Sequence, residues 1–258
     1  MWLSLSAVLS TLLLTSLASA AEVQRVPLYL QENADAGGRQ TPAYRNLEAM
    51  LTYLELQSGV QFERIRLPWE RAKSLALEGR GVIWGFSKSR ERLSLYDYSE
   101  TVVQLPVWAI SAAGAAQVAT DLRDLSGRTV CTRYGISLGL DYEKAKGHLF
   151  KADEQHNNYT QLFRKLSSGR CDYLFWAVQR FDQRRDVENY LQNRFLPGLK
   201  DLETNHKKFI VSERPLFYDT LHFATARGYW HDALERLDQA IRKGRQSGEI
   251  DRILNRLD

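Results

Sequence analysis

Apolar and polar residues alternate along the first third of the chain with two different periods, and the switches between them outline the elements. Residues 23–30 read as a strand, and a loop rich in Asn, Asp and Gly runs from there to Pro42. From 43 to 58 the apolar side chains fall at Leu47, Met50, Leu51 and Leu54, the spacing of one helical face, and Gly59 stops the run. Residues 60–67 return to strand-like alternation. Pro68 stands just outside a short helix that continues through Leu77 and closes at Gly79. Residues 82–86 form the next strand. The order β-α-β-α-β predicts a parallel sheet with covering helices.

Further on, 102–111 is a long extended segment, and 112–114 with the linker after them lead into a second unit. Residues 162–166 predict a helix. From Val187 the chain is polar and irregular, with few cues before Phe209-Ile210-Val211. A returning strand is predicted over 221–226. The tail from 233 to 257 carries Leu234, Leu237, Ala240 and Ile241 on one helical face.

Composition bounds the class. With 258 residues, 44% hydrophobic and 26% charged, the chain can build one large or two small soluble domains. The net charge of +4 is spread along the chain, and the absence of a basic block argues against a nucleic-acid partner. The first twenty residues are an apolar run closed by Ala18-Ser19-Ala20, an A-x-A cleavage pattern, although no Lys or Arg precedes it. An uncleaved membrane anchor is the competing reading, but the run is short for a span and studded with Ser and Thr. Residues 1–20 are therefore expected to be an export signal removed before Ala21. The mature chain then has no stable membrane insertion, and without a following Cys no lipid anchor is indicated. In an oxidising compartment the only two cysteines, Cys131 and Cys171, are expected to pair, against the alternative of two separate buried thiols. No His or carboxylate sits at ligand spacing beside either of them, so neither a metal nor a cofactor is expected.

The chemistry concentrates in residues 82–108. An apolar start (Val82, Ile83, Trp84) breaks into Gly85-Phe86-Ser87-Lys88-Ser89, followed by a charged turn with Arg90, Glu91 and Arg92, then Tyr96-Asp97-Tyr98-Ser99. Small residues and hydroxyls at a strand end, with an arginine close behind, suit a small anion. Glycine admits close backbone approach, serines offer rotatable donors, and a guanidinium forks two N–H groups onto a carboxylate. A strand followed by a solvated turn accounts for the same residues equally well.

This stretch resembles the signature of the family 3 extracellular solute-binding proteins, the periplasmic receptors of amino-acid ABC importers. Ser87-Lys88-Ser89-Arg90-Glu91-Arg92 matches their S-x-T-x-x-R, with Ser89 for the usual Thr, and Tyr98-Ser99 sits at the F-S spacing. The P-Y that follows in the family is replaced by Thr101-Val102. Residues 121–130 are similar to the segment that opens the second lobe, Gly135-Ile136-Ser137 to a glycine–hydroxyl pair at a helix start, 168–176 to the strand carrying a structural acid, here Asp172, and 247–250 to the closing motif. Several weak motifs in the same order cover nearly all of the mature chain.

The resemblance implies a two-lobed α/β architecture, the type II periplasmic-binding-protein fold, with each lobe a mostly parallel sheet flanked by helices. Lobe 1 would comprise 21–107 plus 221–258 and lobe 2 residues 108–220, with 107–111 and 221–224 crossing as hinge strands. It implies that Arg92 pairs with a ligand carboxylate, helped by Ser89 and Ser137, that Ser87 contacts the amino group, and that Trp69 stacks on the ligand. Gly135 and Ser137 would add backbone donors at a helix N-terminus. Arg90, in the same turn, competes with Arg92 for the inward position, and Trp69 competes with a plain core tryptophan. Tyr29, Trp84, Tyr134 and Trp176 are further aromatic candidates. One departure matters: the family's amino-binding acid, five residues after Asp172, is here Ala177.

The expected function is therefore a periplasmic, non-enzymatic receptor, monomeric, that closes on a small carboxylate-bearing solute and delivers it to the permease of an ABC importer. Two alternatives keep the fold. One is a dehydratase-like enzyme acting on a cyclic carboxylate, which needs a cleft acid or base; the other is a sensor presenting solute to a membrane signalling partner.

Overall fold

The computed structural model of the protein describes residues 25–32, 42–114, 117–156, 158–178, 181, 183–199 and 208–255. The export signal expected at 1–20 and the loop expected at 33–41 lie outside the described residues. In the first part of the chain, strand β1 (Arg25–Gln31), helix α1 (Pro42–Ser58), β2 (Gln61–Leu67), α2 (Trp69–Leu77) and β3 (Val82–Phe86) follow the predicted order. Next come α3 (Arg90–Leu95), β4 (Tyr96–Tyr98) and the ten-residue β5 (Val103–Ala112). The second unit contributes β6 (Thr129–Arg133), α4 (Leu140–Ala145), β7 (Lys151–His156), α5 (Tyr159–Ser167), β8 (Tyr173–Ala177), α6 (Arg184–Tyr190) and β9 (Phe209–Val211). The chain returns through β10 (Phe217–Ala226) and ends in α7 (His231–Gln246) and α8 (Glu249–Leu254).

The strands form one path, β2-β1-β3-β10-β5-β8-β6-β7, with β4 paired to β10 and β9 to β5. Each end of the path is parallel: β1 pairs with β2 and β3, and β6 pairs with β7 and β8. Such pairs need crossover connections, which α1, α2, α4 and α5 supply. The middle is antiparallel, because β5 and β10 run between the two ends. Phe217 to Leu221 of β10 pair with Val107 to Val103 of β5, and beyond a register shift at His222/Phe223 the same strand pairs with β3 and β4. From Val107 onward β5 pairs with β8 and then with β9.

The period-two alternation of each strand sorts its side chains onto two faces. In the first half Val26, Leu28 and Leu30 of β1 pack with Met50, Leu51 and Leu54 of α1 and with Leu237 and Ile241 of α7, while Tyr29 on the opposite face packs with Ala72 and Ala76 of α2 and Phe86. In the second half Trp108 and Ile110 of β5 pack with Leu162 and Phe163 of α5, and Val107 and Ala109 face Tyr142, Phe150 and Phe175. Each fully buried large side chain of this kind contributes about 1.5–3 kcal/mol relative to exposure. Cys131 of β6 and Cys171, just before β8, are joined as a disulfide with Cα atoms 5.8 Å apart.

Two expectations are corrected. From Val187 to Gly198 the chain is not irregular: α6 runs directly into a wide π turn at Leu191–Phe195, burying Val187 and Leu191 in the second core, while 200–207 lie outside the described residues. Nor does a helix start at Gly135-Ile136-Ser137. The helix begins at Leu140, because Gly139 before it has φ of 92°, outside the helical range. Ser137 thus lies in a loop, with no helix N-terminus behind it.

Candidate ligand-binding cleft

Strand β3 runs out at Phe86, and the chain then turns sharply into α3. Ser89, extended at φ −133°, caps that helix, its hydroxyl oxygen accepting from the Arg92 N–H at 3.2 Å. The cap sets the direction of the first turn, and Arg92 folds back over the strand end. Its Nη1 donates to the Ser87 carbonyl at 3.1 Å, and its guanidinium carbon lies 4.2 Å from the centre of the buried Phe86 ring. A cation seated on an aromatic face keeps its remaining N–H groups in plane and available. Arg90 is exposed, whereas Arg92 is half-buried.

Phe86 belongs to an aromatic floor. Trp69 lies 5.9 Å from it, Tyr96 4.9 Å and Tyr98 6.0 Å, centre to centre. The Trp69 indole N–H reaches out of this group to the Gly135 carbonyl, 3.1 Å away in the second half of the molecule. Gly135, at φ +75°, also lies against α2: a Cβ there would meet Glu70 Oε1 at 2.8 Å. A cleft of about 730 Å³ opens beside this contact, with Ser89, Arg90 and Arg92 on one wall and Tyr134, Gly135 and Ser137 on the other.

Of the residues singled out in the sequence, Arg92, Ser89, Gly135 and Ser137 line this cleft, and Ser87 and Trp69 adjoin it through their contacts with Arg92 and Gly135. Ser137 is engaged locally, donating to Glu143 Oε1 at 2.7 Å and accepting from the Gly139 N–H at 3.3 Å. Among the further aromatics only Tyr134 reaches the cleft, and it is exposed. Tyr29, Trp84 and Trp176 sit in or against the cores. Asp172 accepts from the Thr129 N–H at 2.8 Å and so holds the start of β6. Ala177 ends β8 opposite Val107 and offers no charge. A larger hollow of about 990 Å³ lies beside β5, α6 and α7.

Asp219 escaped the sequence reading. It sits on β10 opposite Leu105, is 3% exposed, and accepts from the Ser87 hydroxyl through Oδ2 at 2.7 Å. Its other oxygen, Oδ1, has no hydrogen-bond partner. Burial pushes its carboxyl up to about 7, against the opposing pull of the Ser87 hydroxyl, the Thr220 N–H and the Arg92 charge. Three residues on, His222 is buried between the Ser99 carbonyl (2.8 Å) and the Thr220 hydroxyl (3.0 Å), and burial aided by Lys88 pushes it down to about 4. The signal available for Asp219 was a lone acid in the otherwise apolar and hydroxylic run FYDTLHFATA.

No protein-family model matches the chain, and no curated protein matches it. Solved structures do. A substrate-binding protein of an amino acid ABC transporter from Streptococcus pneumoniae, bound to L-arginine, superposes with a TM-score of 0.61 at 16% identity, over 89% of this chain and 92% of its own. A variant of ArgBP from T. maritima gives 0.62 at 17% identity, over 89% and 93%. The BvgS VFT2 domain of Bordetella pertussis gives 0.63 at 17% identity, over 91% and 93%. At these identities the likeness is one of fold, and it spans both halves of the sheet together with the strands that cross between them. The chain has the two-lobed α/β fold of the periplasmic binding proteins.

Proposed function

We propose that the protein is a periplasmic receptor of the family 3 solute-binding type, which closes on a small carboxylate-bearing, amino-acid-like solute and hands it to the permease of an ABC importer. The observation that carries this reading is the position of Arg92: a guanidinium mounted on Phe86, which lines with Ser89 a cleft whose other wall is the 135–137 loop of the opposite half. A charge-assisted bidentate contact there contributes roughly 1.5–3 kcal/mol. Lobe 1 is taken as 21–107 plus 221–258 and lobe 2 as 108–220, hinging where β5 and β10 cross. The disulfide suits an oxidising compartment, and no helix among the described residues is long and apolar enough to cross a membrane. Recovery from a periplasmic extract with Ala21 as first residue tests the location.

The binding test is a thermal-shift and calorimetric panel of L-amino acids and other small carboxylates. A stabilising ligand recovered chemically unaltered supports the receptor, and turnover of any panel member overturns it. Arg92→Ala is expected to abolish the shift while changing the ligand-free protein by no more than about 1 kcal/mol, because the side chain makes one backbone hydrogen bond and one ring contact. Wild-type affinity in that variant would mean the carboxylate sits elsewhere.

A second reading, a solute sensor for a membrane signalling protein, draws on the BvgS VFT2 domain and a histidine kinase sensor domain among the structural neighbours. The two separate by whether the loaded protein stimulates ATP hydrolysis by a reconstituted ABC permease.

A further inference from the structure

We infer that Asp219, on the crossing strand β10, is the counter-charge for a ligand ammonium, so that the solute is an α-amino acid held between Arg92 and Asp219. The inference rests on the receptor reading above and names the group that the family position at Ala177 does not supply.

The first observation is an unmet valence. Asp219 is 97% buried and one of its two oxygens has no donor. Leaving a buried acceptor of an ionisable group unpaired forfeits its hydration with nothing in return, and the loss is larger when the group is charged. A group of this kind needs a donor, preferably a cationic one. An ammonium brings three N–H donors and no acceptor, so it can satisfy Oδ1 without creating a new unpaired lone pair.

The second observation is spacing. Ser87 holds both charged groups: its carbonyl accepts from Arg92 Nη1 at 3.1 Å, and its hydroxyl donates to Asp219 Oδ2 at 2.7 Å. A positive and a negative group are thereby fixed at the two ends of a single residue. That is the scale on which an α-amino acid carries its own carboxylate and ammonium. Among the described residues no ion pair within 4.0 Å joins Arg92 to any carboxylate, so neither charge is consumed by the other.

The third is access. The residue opposite Oδ1 on the second half is Gly139, and a Cβ there would crowd Oδ1 at 3.1 Å. Glycine at 139 lets the second half pack directly on the carboxylate and cover it, so a parting of the two halves would uncover Oδ1 to a ligand. The acid thus arrives at the site from the crossing strand rather than from the end of β8, and the ligand would touch three separate parts of the fold.

The test uses the full-length mature protein, isothermal titration, and two probes: the tightest-binding member of the twenty standard L-amino acids, and its des-amino analogue with hydrogen in place of the α-amine. Wild type is expected to favour the amino acid by at least about 100-fold. Asp219→Asn, which keeps the shape, is expected to lose most of that preference while holding the des-amino analogue at wild-type affinity. Equal binding of both probes by wild type, or an unchanged preference in the variant, overturns the inference and leaves the receptor standing. Failure of wild type to bind any amino acid or small carboxylate overturns both. Should Asp219→Asn not fold, the wild-type preference is supplemented by titration in buffers of different ionisation enthalpy at pH 6.5. Release of a proton on binding the amino acid, absent with the des-amino analogue, supports the assignment, and equal proton release with both overturns it.

Discussion

Asp219 and His222 stand three positions apart on one strand and respond to acid in opposite senses. The Asp219 carboxyl titrates near 7 in the folded chain against 3.8 when exposed, so between those values the folded state holds a proton the unfolded state has lost, and stability falls as pH rises. His222 titrates near 4 against 6.5, so the unfolded state takes up a proton the folded state refuses, and stability falls as pH drops. Arg92 is the charge acting on the first group, Lys88 and Glu100 the charges acting on the second. Between about pH 4 and 6.5 the two slopes, each roughly 1.4 kcal/mol per pH unit, nearly cancel. In urea unfolding of the ligand-free protein, Asp219→Asn is expected to leave a stability that climbs with pH across this window relative to wild type, and His222→Gln one that falls. Parallel curves for wild type and both variants would mean that neither group is as dry as its surroundings imply. Asp219 was not legible in the sequence because its meaning lies in a contact with Ser87, 132 residues away. Arg92 was singled out over Arg90 by its place in the S-x-T-x-x-R pattern, and the Ser89 cap that aims it lies three residues before it.

At the scale of elements, the first half of the fold was plain because its helices and strands keep their periods. Leu47, Met50, Leu51 and Leu54 mark α1 in the sequence and face the first core in the structure. The second half hid more. In α6 and the turn after it, Val187, Leu191 and Phe195 recur every fourth residue, but the polar residues between them masked the face they form. The 135–139 loop misled because glycine and serine mark helix starts and open turns alike, and only the backbone angle of Gly139 decides between them. The disulfide stiffens this less regular half. It ties the neighbouring strands β6 and β8 across 40 residues, which in the chain-entropy account stabilises the fold by about 4 kcal/mol. Reduction is therefore expected to lower the melting temperature by several degrees, in a wild type compared with a Cys131→Ala, Cys171→Ala double variant that no longer responds to reductant.

For the whole molecule, the two halves meet in a single hydrogen-bonded path, and the contact between Trp69 and Gly135 spans the cleft beside it. If solute binding closes the halves, the indole loses water, and its emission is expected to shift to the blue on titration with the stabilising ligand. Trp69→Phe should remove that shift while the calorimetric signal persists. An unchanged spectrum in wild type at saturating ligand would indicate that the halves do not move against each other at this point. Small-angle scattering provides the complementary measure, with a smaller radius of gyration expected for the loaded form.

The order in which the strands are made has a consequence for biogenesis. The first three strands leave the ribosome early, yet β10, which borders β3, and the helices α7 and α8, which cover Val26, Leu28 and Leu30, lie within the last 42 of the 258 residues. Until those residues are synthesised, the N-terminal core has no lid, and its contacts are among the most distant in sequence that the chain makes, which slows their formation. A nascent chain with this layout is expected to complete its N-terminal core only when translation is nearly finished.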